Sequence, residues 1–485
     1  MSTIQGTNSG PELLVEFDRS AGRPLRAQLE DALREAVRSG RLAAHARLPA
    51  TRVLAADLGV SRRLVVDAYA QLLAEGYLLA RRGGGTFVAD AGAVAPSPAP
   101  AKPADAPRYD FFPGHPDLGA FPRGAWLRAL RATLRDAPDR AFGYPDPQGA
   151  PELRVALAGH LRRVRGVAAD PESILICGGA AQGFALLARA LSGARVAVED
   201  PSLPAHRAIL TGNGLRLAAM AVDDDGAKVE DLAELERREG RIDAALLTPA
   251  HQSPTGVALA PARRSALLAW TLHASRLVIE DDYDAEYRYD RAPVGALQGL
   301  APGHVVYIGT ASKTLCPALR IGWLVLPGAL RDAVIAEKAL SDQGLPTIDQ
   351  LALARLIESG GYDRHLRQAR RRYRSRRDAL VAAVERHLPG ARVTGVAAGL
   401  HAVLQLPFEV DGAALARAAR RRSVGVYPLG HAYMSVRPRH AGLVLGYASL
   451  AEPAIEEGIR RLALALEEPS PGTPEPTNEG GAIAR

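Results

Sequence analysis

An alternation running from about Tyr109 to Leu466 restricts the fold of this 485-residue chain more than any other feature. Short apolar runs occur at Ser173–Cys177, Arg195–Val198, Asp243–Leu247, Arg276–Ile279, Val305–Ile308 and Ile321–Leu326. Most are separated by amphipathic stretches such as Gln182–Leu191 and Pro261–His273. Runs of this length suit buried strands, and the stretches between them carry helical periodicity. Their alternation predicts an α/β unit built on a largely parallel sheet. Ligand sites in such sheets lie past the carboxyl ends of the strands. From about Gly361 an arginine-rich helical stretch leads to strand-like runs near Leu400–Leu406 and Leu443–Tyr447, which predict a smaller subdomain.

The chain is long enough for two or three domains. With 47% hydrophobic and 23% charged residues it can bury large cores. Its net charge of +7 suits a nucleic-acid partner. Cys177 and Cys316 are the only cysteines, which excludes a disulfide framework and a zinc spacing and points to a reducing cytoplasm. The opening MSTIQGTNSGPELL has no basic segment followed by an apolar one, so it does not read as a signal peptide, and no apolar run approaches bilayer length.

Residues 1–12 are polar and predicted to be disordered, and 13–90 read as a small separate domain. Leu25, Leu29, Leu33 and Val37 form a helical stripe that ends at Gly40. Thr51 is placed to cap a second helix, Arg52 to Leu58, which Gly59 breaks. Ser61 is placed to cap a third, with Leu64, Val65, Ala68, Tyr69 and Leu72 on one face and Gly76 at its end. Helix, glycine turn and helix at this spacing form a helix-turn-helix pattern. Tyr77 to Val88 then predicts a hairpin whose tip, Arg81-Arg82-Gly83-Gly84-Gly85, is basic. Ser61, Arg62 and Arg63 open the presumed recognition helix, the end that meets base edges. Arg47, Thr51 and Arg52 flank the preceding helix, where phosphate contacts lie.

Residues 24–88 resemble the winged helix-turn-helix of the GntR family, through the run GRLAAHARLPATRVLAADLGVSRRLVVDAYAQLLAEGYLLARRGGGTFV. The resemblance implies double-stranded DNA contacts from Arg47, Arg52, Ser61, Arg62, Arg63 and the wing at Gly85-Thr86. An Ala/Pro-rich linker follows at 91–107, then the α/β unit at 108–466 and a polar tail, 467–485, predicted to be disordered.

Chemistry collects at the predicted strand ends. The chain has four lysines, Lys102, Lys228, Lys313 and Lys338, and Lys313 lies inside the apolar stretch Tyr307–Pro327. A lysine amine can lose its proton and form an imine, which arginine cannot. Ile174 to Gln182 runs from strand through Gly178-Gly179-Ala180-Ala181 into a helix, exposing backbone N–H groups that suit a phosphate. Thr310, Ser312 and Arg320 supply further phosphate donors. Val278 to Tyr283 ends a strand in carboxylates and a tyrosine, and Thr248 to Gly256 places polar groups over the same edge. Pyridoxal 5′-phosphate accounts for all four pieces. It needs an amine, a carboxylate for its pyridinium nitrogen, a donor for its ring oxygen and several donors for its phosphate.

Residues 109–466 resemble a fold-type I aminotransferase domain. Behind a GntR-like reader, the whole chain resembles the MocR/GabR/PdxR family of transcriptional regulators. The resemblance implies that Lys313 forms the Schiff base, Asp281 pairs with the pyridine nitrogen and Tyr283 with the ring hydroxyl. Gly179, Ala180, Ala181, Thr310, Ser312 and Arg320 would bind phosphate. Tyr144, in Phe142-Gly143-Tyr144-Pro145-Asp146-Pro147-Gln148-Gly149, would reach a phosphate across the interface of a homodimer. The chain departs from aminotransferases at four places. Ser253 replaces the Asn of an Asn-Pro-Thr-Gly turn. The tyrosine follows Asp281 by two residues rather than three. Leu203 stands where an aromatic stacks on the ring, with His206 as a substitute. Val444 stands where an arginine grips a carboxylate, although Arg437 and Arg439 lie nearby. The leading expectation is a cytoplasmic DNA-binding regulator that senses the cofactor or its adduct with a small amine or amino acid. Two alternatives remain: an active aminotransferase with an accessory DNA module, and a repressor whose C-terminal half is a dimerisation scaffold.

Overall fold

The computed structural model describes residues 17–19, 22–81, 84–90, 106–274, 276–290, 294–408, 411–435 and 442–467. The predicted polar N-terminus 1–12, linker residues 91–105, Arg82, Gly83, Arg437, Arg439 and tail residues 468–485 lie outside them. The chain divides into two units, 1–104 and 105–485.

In the first unit, helices Leu25–Arg38, Thr51–Asp57 and Arg62–Ala74 precede an antiparallel pair, Leu78–Arg81 and Gly85–Val88. Leu29, Leu33, Leu54, Val65, Leu72, Leu78 and Val88 close one apolar core. The hydroxyl of Ser61 accepts from the Leu64 amide at 3.3 Å, the predicted cap. Thr51 does not cap the second helix. The Ala50 carbonyl already accepts from the Leu54 amide at 3.0 Å, so the helix starts one residue earlier, with Thr51 as its first residue and no side-chain cap. Arg34 spans from the first helix to Glu75 at the end of the third, Nε to Oε2 2.8 Å. Backbone bonds from Leu48 to Thr86 and from Val88 to Ala46 lay residues 46–48 against the wing.

The second unit holds an eight-stranded sheet in the order Ile174–Cys177, Gly322–Val325, Val305–Thr310, Leu277–Asp282, Ala244–Leu247, Arg195–Asp200, Arg216–Asp223, Gly226–Ala227. Gly322–Val325 and Gly226–Ala227 are antiparallel to their neighbours, and the others run one way. All six predicted strands are present. Arg216–Asp223 was not predicted, because its sequence RLAAMAVD, near the sheet edge, is rich in alanine and carries no β-branched run. The smaller subdomain is a four-stranded antiparallel sheet, Arg392–Thr394, His401–Gln405, Gly442–Gly446 and Tyr427–Pro428, with the helices Gly361–His387, Gly412–Arg421 and Glu452–Leu466. Tyr109–Asp110 pairs in parallel with Val424–Gly425, tying the start of the unit into this subdomain. The parallel direction sends six strand ends, at Cys177, Asp200, Asp223, Leu247, Asp282 and Thr310, to one edge of the large sheet. Among the described residues no helix is long and apolar enough to cross a membrane.

Because Ser61 closes the start of the third helix, Ser61→Ala should destabilise the reader unit by about 1 kcal/mol in chemical denaturation.

Candidate functional site

Beyond that edge lies a cavity of about 520 Å³ whose wall includes Lys313, Asp281, Tyr283, Ala180, Ala181, Thr310, Ser312 and Arg320. Residues far apart in the sequence meet there because parallel strands deliver their ends together. Lys313 sits in the short helix Ala311–Thr314, directly after the strand Val305–Thr310. Its amine lies against Gly114, where an added Cβ would be 3.1 Å from Nζ. Burial holds the amine below its usual pKa, opposed by the charges of Asp284 and Asp281.

The strand Leu277–Asp282 ends in three acids, and the two-residue period of a strand separates them. Glu280 accepts from the Leu297 and Gln298 amides at 2.9 and 3.0 Å. Asp282 accepts from Arg165 Nε and the Tyr307 hydroxyl, each at 2.7 Å. Asp281 faces the cavity. Its Oδ1 is buried without a hydrogen-bond partner, and its Oδ2 lies 3.9 Å from His206 Nδ1. Burial, reinforced by Asp282 and Asp284, pushes its pKa up to about 8. A buried acid in this state is complementary to a cationic N–H donor, and the pyridinium of pyridoxal phosphate is one.

The opposite end suits a phosphate. The helix Ala180–Ala190 starts behind Gly179 with no side-chain cap, so its first N–H groups are free for an anion. Gly179 has φ +90°, and a Cβ there would come within 3.1 Å of Arg320 Nη2. Arg320 in turn donates to the Gly178 carbonyl, which fixes the guanidinium at the mouth of this helix. Thr310 Oγ1 accepts from the Ser312 amide at 3.1 Å and lies 3.0 Å from the Ser312 hydroxyl.

Tyr283 brings in residues that the sequence did not single out for a role. Its hydroxyl lies 3.0 Å from His251 Nδ1, which is also 3.0 Å from Asp284 Oδ2. A carboxylate calls for a donor, so the proton belongs on Nδ1. The tyrosine oxygen then receives part of that donor, and its own hydrogen stays available to the cavity. His401 packs tilted against His251, ring centroids 5.1 Å apart, and lines the cavity, with burial lowering its pKa to about 4. His251, Asp284 and His401 come from three separate segments, so no local spacing marks them together.

The departures also have places. Leu203, His206, Ser253 and Val444 all line the cavity, so Val444 puts an apolar side chain where a carboxylate-gripping arginine was expected. His206, its pKa lowered to about 4 by burial, packs 4.6 Å from Phe184. Tyr144 is 94% exposed and takes no part in the cavity of its own chain. In the reader unit Arg47, Arg52, Ser61, Arg62, Arg63 and Gly85 are exposed, and Thr51 and Thr86 are half-buried. The Arg47 guanidinium lies over Gly85 on the wing, where an added Cβ would be 3.3 Å from Nε.

Residues 118–462 match the family described as aminotransferase class I and II, and residues 25–88 match the gntR family of bacterial regulatory proteins. The probable rhizopine catabolism regulatory protein MocR of Rhizobium meliloti is 35% identical, over 94% of this chain and 97% of that protein. The chain belongs to the MocR-type transcriptional regulators. Another MocR-type relative, the pyridoxine biosynthesis transcriptional regulator PdxR of Corynebacterium glutamicum, is 34% identical over 90% of this chain and 95% of its own. Among solved structures, a kynurenine aminotransferase of Pyrococcus horikoshii in complex with PMP superposes with TM-score 0.69 at 28% identity, covering 74% of this chain and 90% of that one. MocR-type architecture thus joins a GntR reader to an aminotransferase fold in this chain.

The raised pKa of Asp281 sets a pH test. A carboxyl whose folded pKa is about 8 rather than 3.8 contributes stability at low pH that is lost as pH rises between those values. In cofactor-free protein, Asp281→Asn should therefore gain stability relative to wild type from about pH 4 to about pH 8, read from denaturant midpoints across that range.

Proposed function

We propose that this regulator holds pyridoxal 5′-phosphate in the cavity beside Lys313 and that the state of the cavity controls DNA binding by the reader. The observation that carries this reading is the unpartnered buried oxygen of Asp281 in the wall shared with the Lys313 amine. The bound cofactor supplies an aldehyde that reacts reversibly with amines. Each of this chain's residues then has a task. Lys313 supplies the amine, whose pKa burial lowers. Asp281 accepts the pyridinium N–H. Tyr283, oriented by His251 and Asp284, donates to the ring oxygen. Ala180, Ala181, Thr310, Ser312 and Arg320 hold the phosphate, with Gly179 packed behind Arg320, and Leu203 and His206 cover a ring face.

The exposed Tyr144, beside Phe142 at 59% exposure, supports a homodimer in which this tyrosine completes the partner's phosphate site. The effector is the cofactor itself or a small amine or amino acid that reacts with it, and the setting is cytoplasmic. Val444 and Ser253 favour sensing over turnover, since a transaminase needs a firm hold on the substrate carboxylate. Regulation requires only that the ligand bind one arrangement of the protein better than another.

Purified protein should be yellow, and borohydride should fix the cofactor to Lys313. Lys313→Ala should be colourless with no adduct by mass spectrometry; a colourless wild type after incubation with the cofactor would refute the assignment. Arg62→Gln with Arg63→Gln should weaken operator binding at least tenfold by anisotropy while the colour persists. Loss of both properties together would show that the two sites are not separate.

A further inference from the structure

The arginine-rich helix noted in the sequence has no part in the cavity or the reader. Between positions 364 and 377 it carries eight arginines. Four are spent inside the unit. Arg370 donates to the Glu286 carbonyl, Arg372 and Arg376 approach Asp117 at 3.6 and 3.0 Å, and Arg377 pairs with Asp378 at 2.6 Å. The other four, Arg364, Arg367, Arg371 and Arg374, are exposed and make no hydrogen bond or ion pair with any described residue. Their spacing of three, four and three residues puts them on one helix face over about 15 Å. The acids near the ends of the stripe are already engaged: Asp363 by Arg163 at 2.5 Å, and Asp378 by Arg377. At its N-terminal end the stripe enters a groove that also carries Arg128, with Glu358 as the acidic member and Arg355 paired to Asp136.

We infer that this stripe is a second DNA contact, which binds the phosphate backbone of duplex outside the bases read by the winged helix. Unpaired guanidiniums in a row favour a polyanion of regular charge spacing, and a duplex presents phosphates densely enough over about 15 Å to give each arginine one. The chain already carries a duplex to this molecule through its reader, so the local concentration of phosphate is high. Such contacts add affinity and position without reading sequence. The proposal does not depend on what fills the cavity.

The test uses the full chain and the variant R364Q/R367Q/R371Q/R374Q, with far-UV dichroism as the control for folding. Affinity is measured against salt on an operator with long flanks and on a duplex no longer than the reader's footprint. On the long duplex the variant should lose about 0.9 from the log–log salt slope for each contact removed, or about three to four in all. On the short duplex the slopes should agree. The charge-conserving R364K/R367K/R371K/R374K should keep most of the wild-type slope. If the fourfold glutamine variant is unstable, R364Q/R367Q and R371Q/R374Q should each lose about half as much. Equal slopes for wild type and the glutamine variants on the long duplex would overturn the proposal and leave the stripe to an acidic protein partner.

Discussion

The candidate site depends on how three consecutive acids at the end of one strand are kept apart. Glu280 and Asp282 face the body of the unit, where backbone amides take up both oxygens of Glu280, and Arg165 and Tyr307 take up Oδ2 of Asp282 while its Oδ1 stays unpartnered. The pleat turns Asp281 the other way, into the cavity, with an oxygen unmet. The neighbouring charges then make Asp281 costly to ionise unless a cation arrives. Lys313, Tyr283, Thr310, Ser312 and Arg320 line the same cavity. Removing Arg165 would leave Asp282 buried and unpaired directly beside Asp281, so this pair supports the site as well as the fold.

Much of this was legible in the sequence, for identifiable reasons. Strands buried on both faces read as apolar runs, which located six of the eight strands of the large sheet. Motifs at strand ends stay local, so Lys313, Asp281, the Gly178-Gly179 turn and Arg320 could each be found, and topology then brought them together. The less legible parts depend on long-range contact. The cap at Thr51 failed because Ala50 already closed the first turn. His251 reaches Tyr283 across 32 residues and Asp284 across 33, and His401 comes from more than a hundred residues further along the chain. No periodicity reports such a grouping. The alanine-rich strand Arg216–Asp223 was missed for the opposite reason, since its composition suits a helix and only sheet pairing makes it a strand.

The proposed preference for sensing over turnover rests on the lining of the cavity. A wall with Val444 in place of a guanidinium can admit an amine without fixing a carboxylate for repeated chemistry. On the proposed function, the occupancy of such a pocket biases a conformational equilibrium. The reader needs no chemistry of its own. On the proposed function, its exposed arginines supply affinity through phosphate and the first turn of the third helix supplies specificity.

The central claim is that cavity and reader share one free-energy linkage, and reciprocity tests it directly. Cofactor affinity is measured by absorbance titration with and without operator, and operator affinity with and without cofactor. The account predicts that each ligand changes the affinity of the other by one common factor, about fivefold or more. Two affinities indifferent to the presence of the other ligand would contradict it.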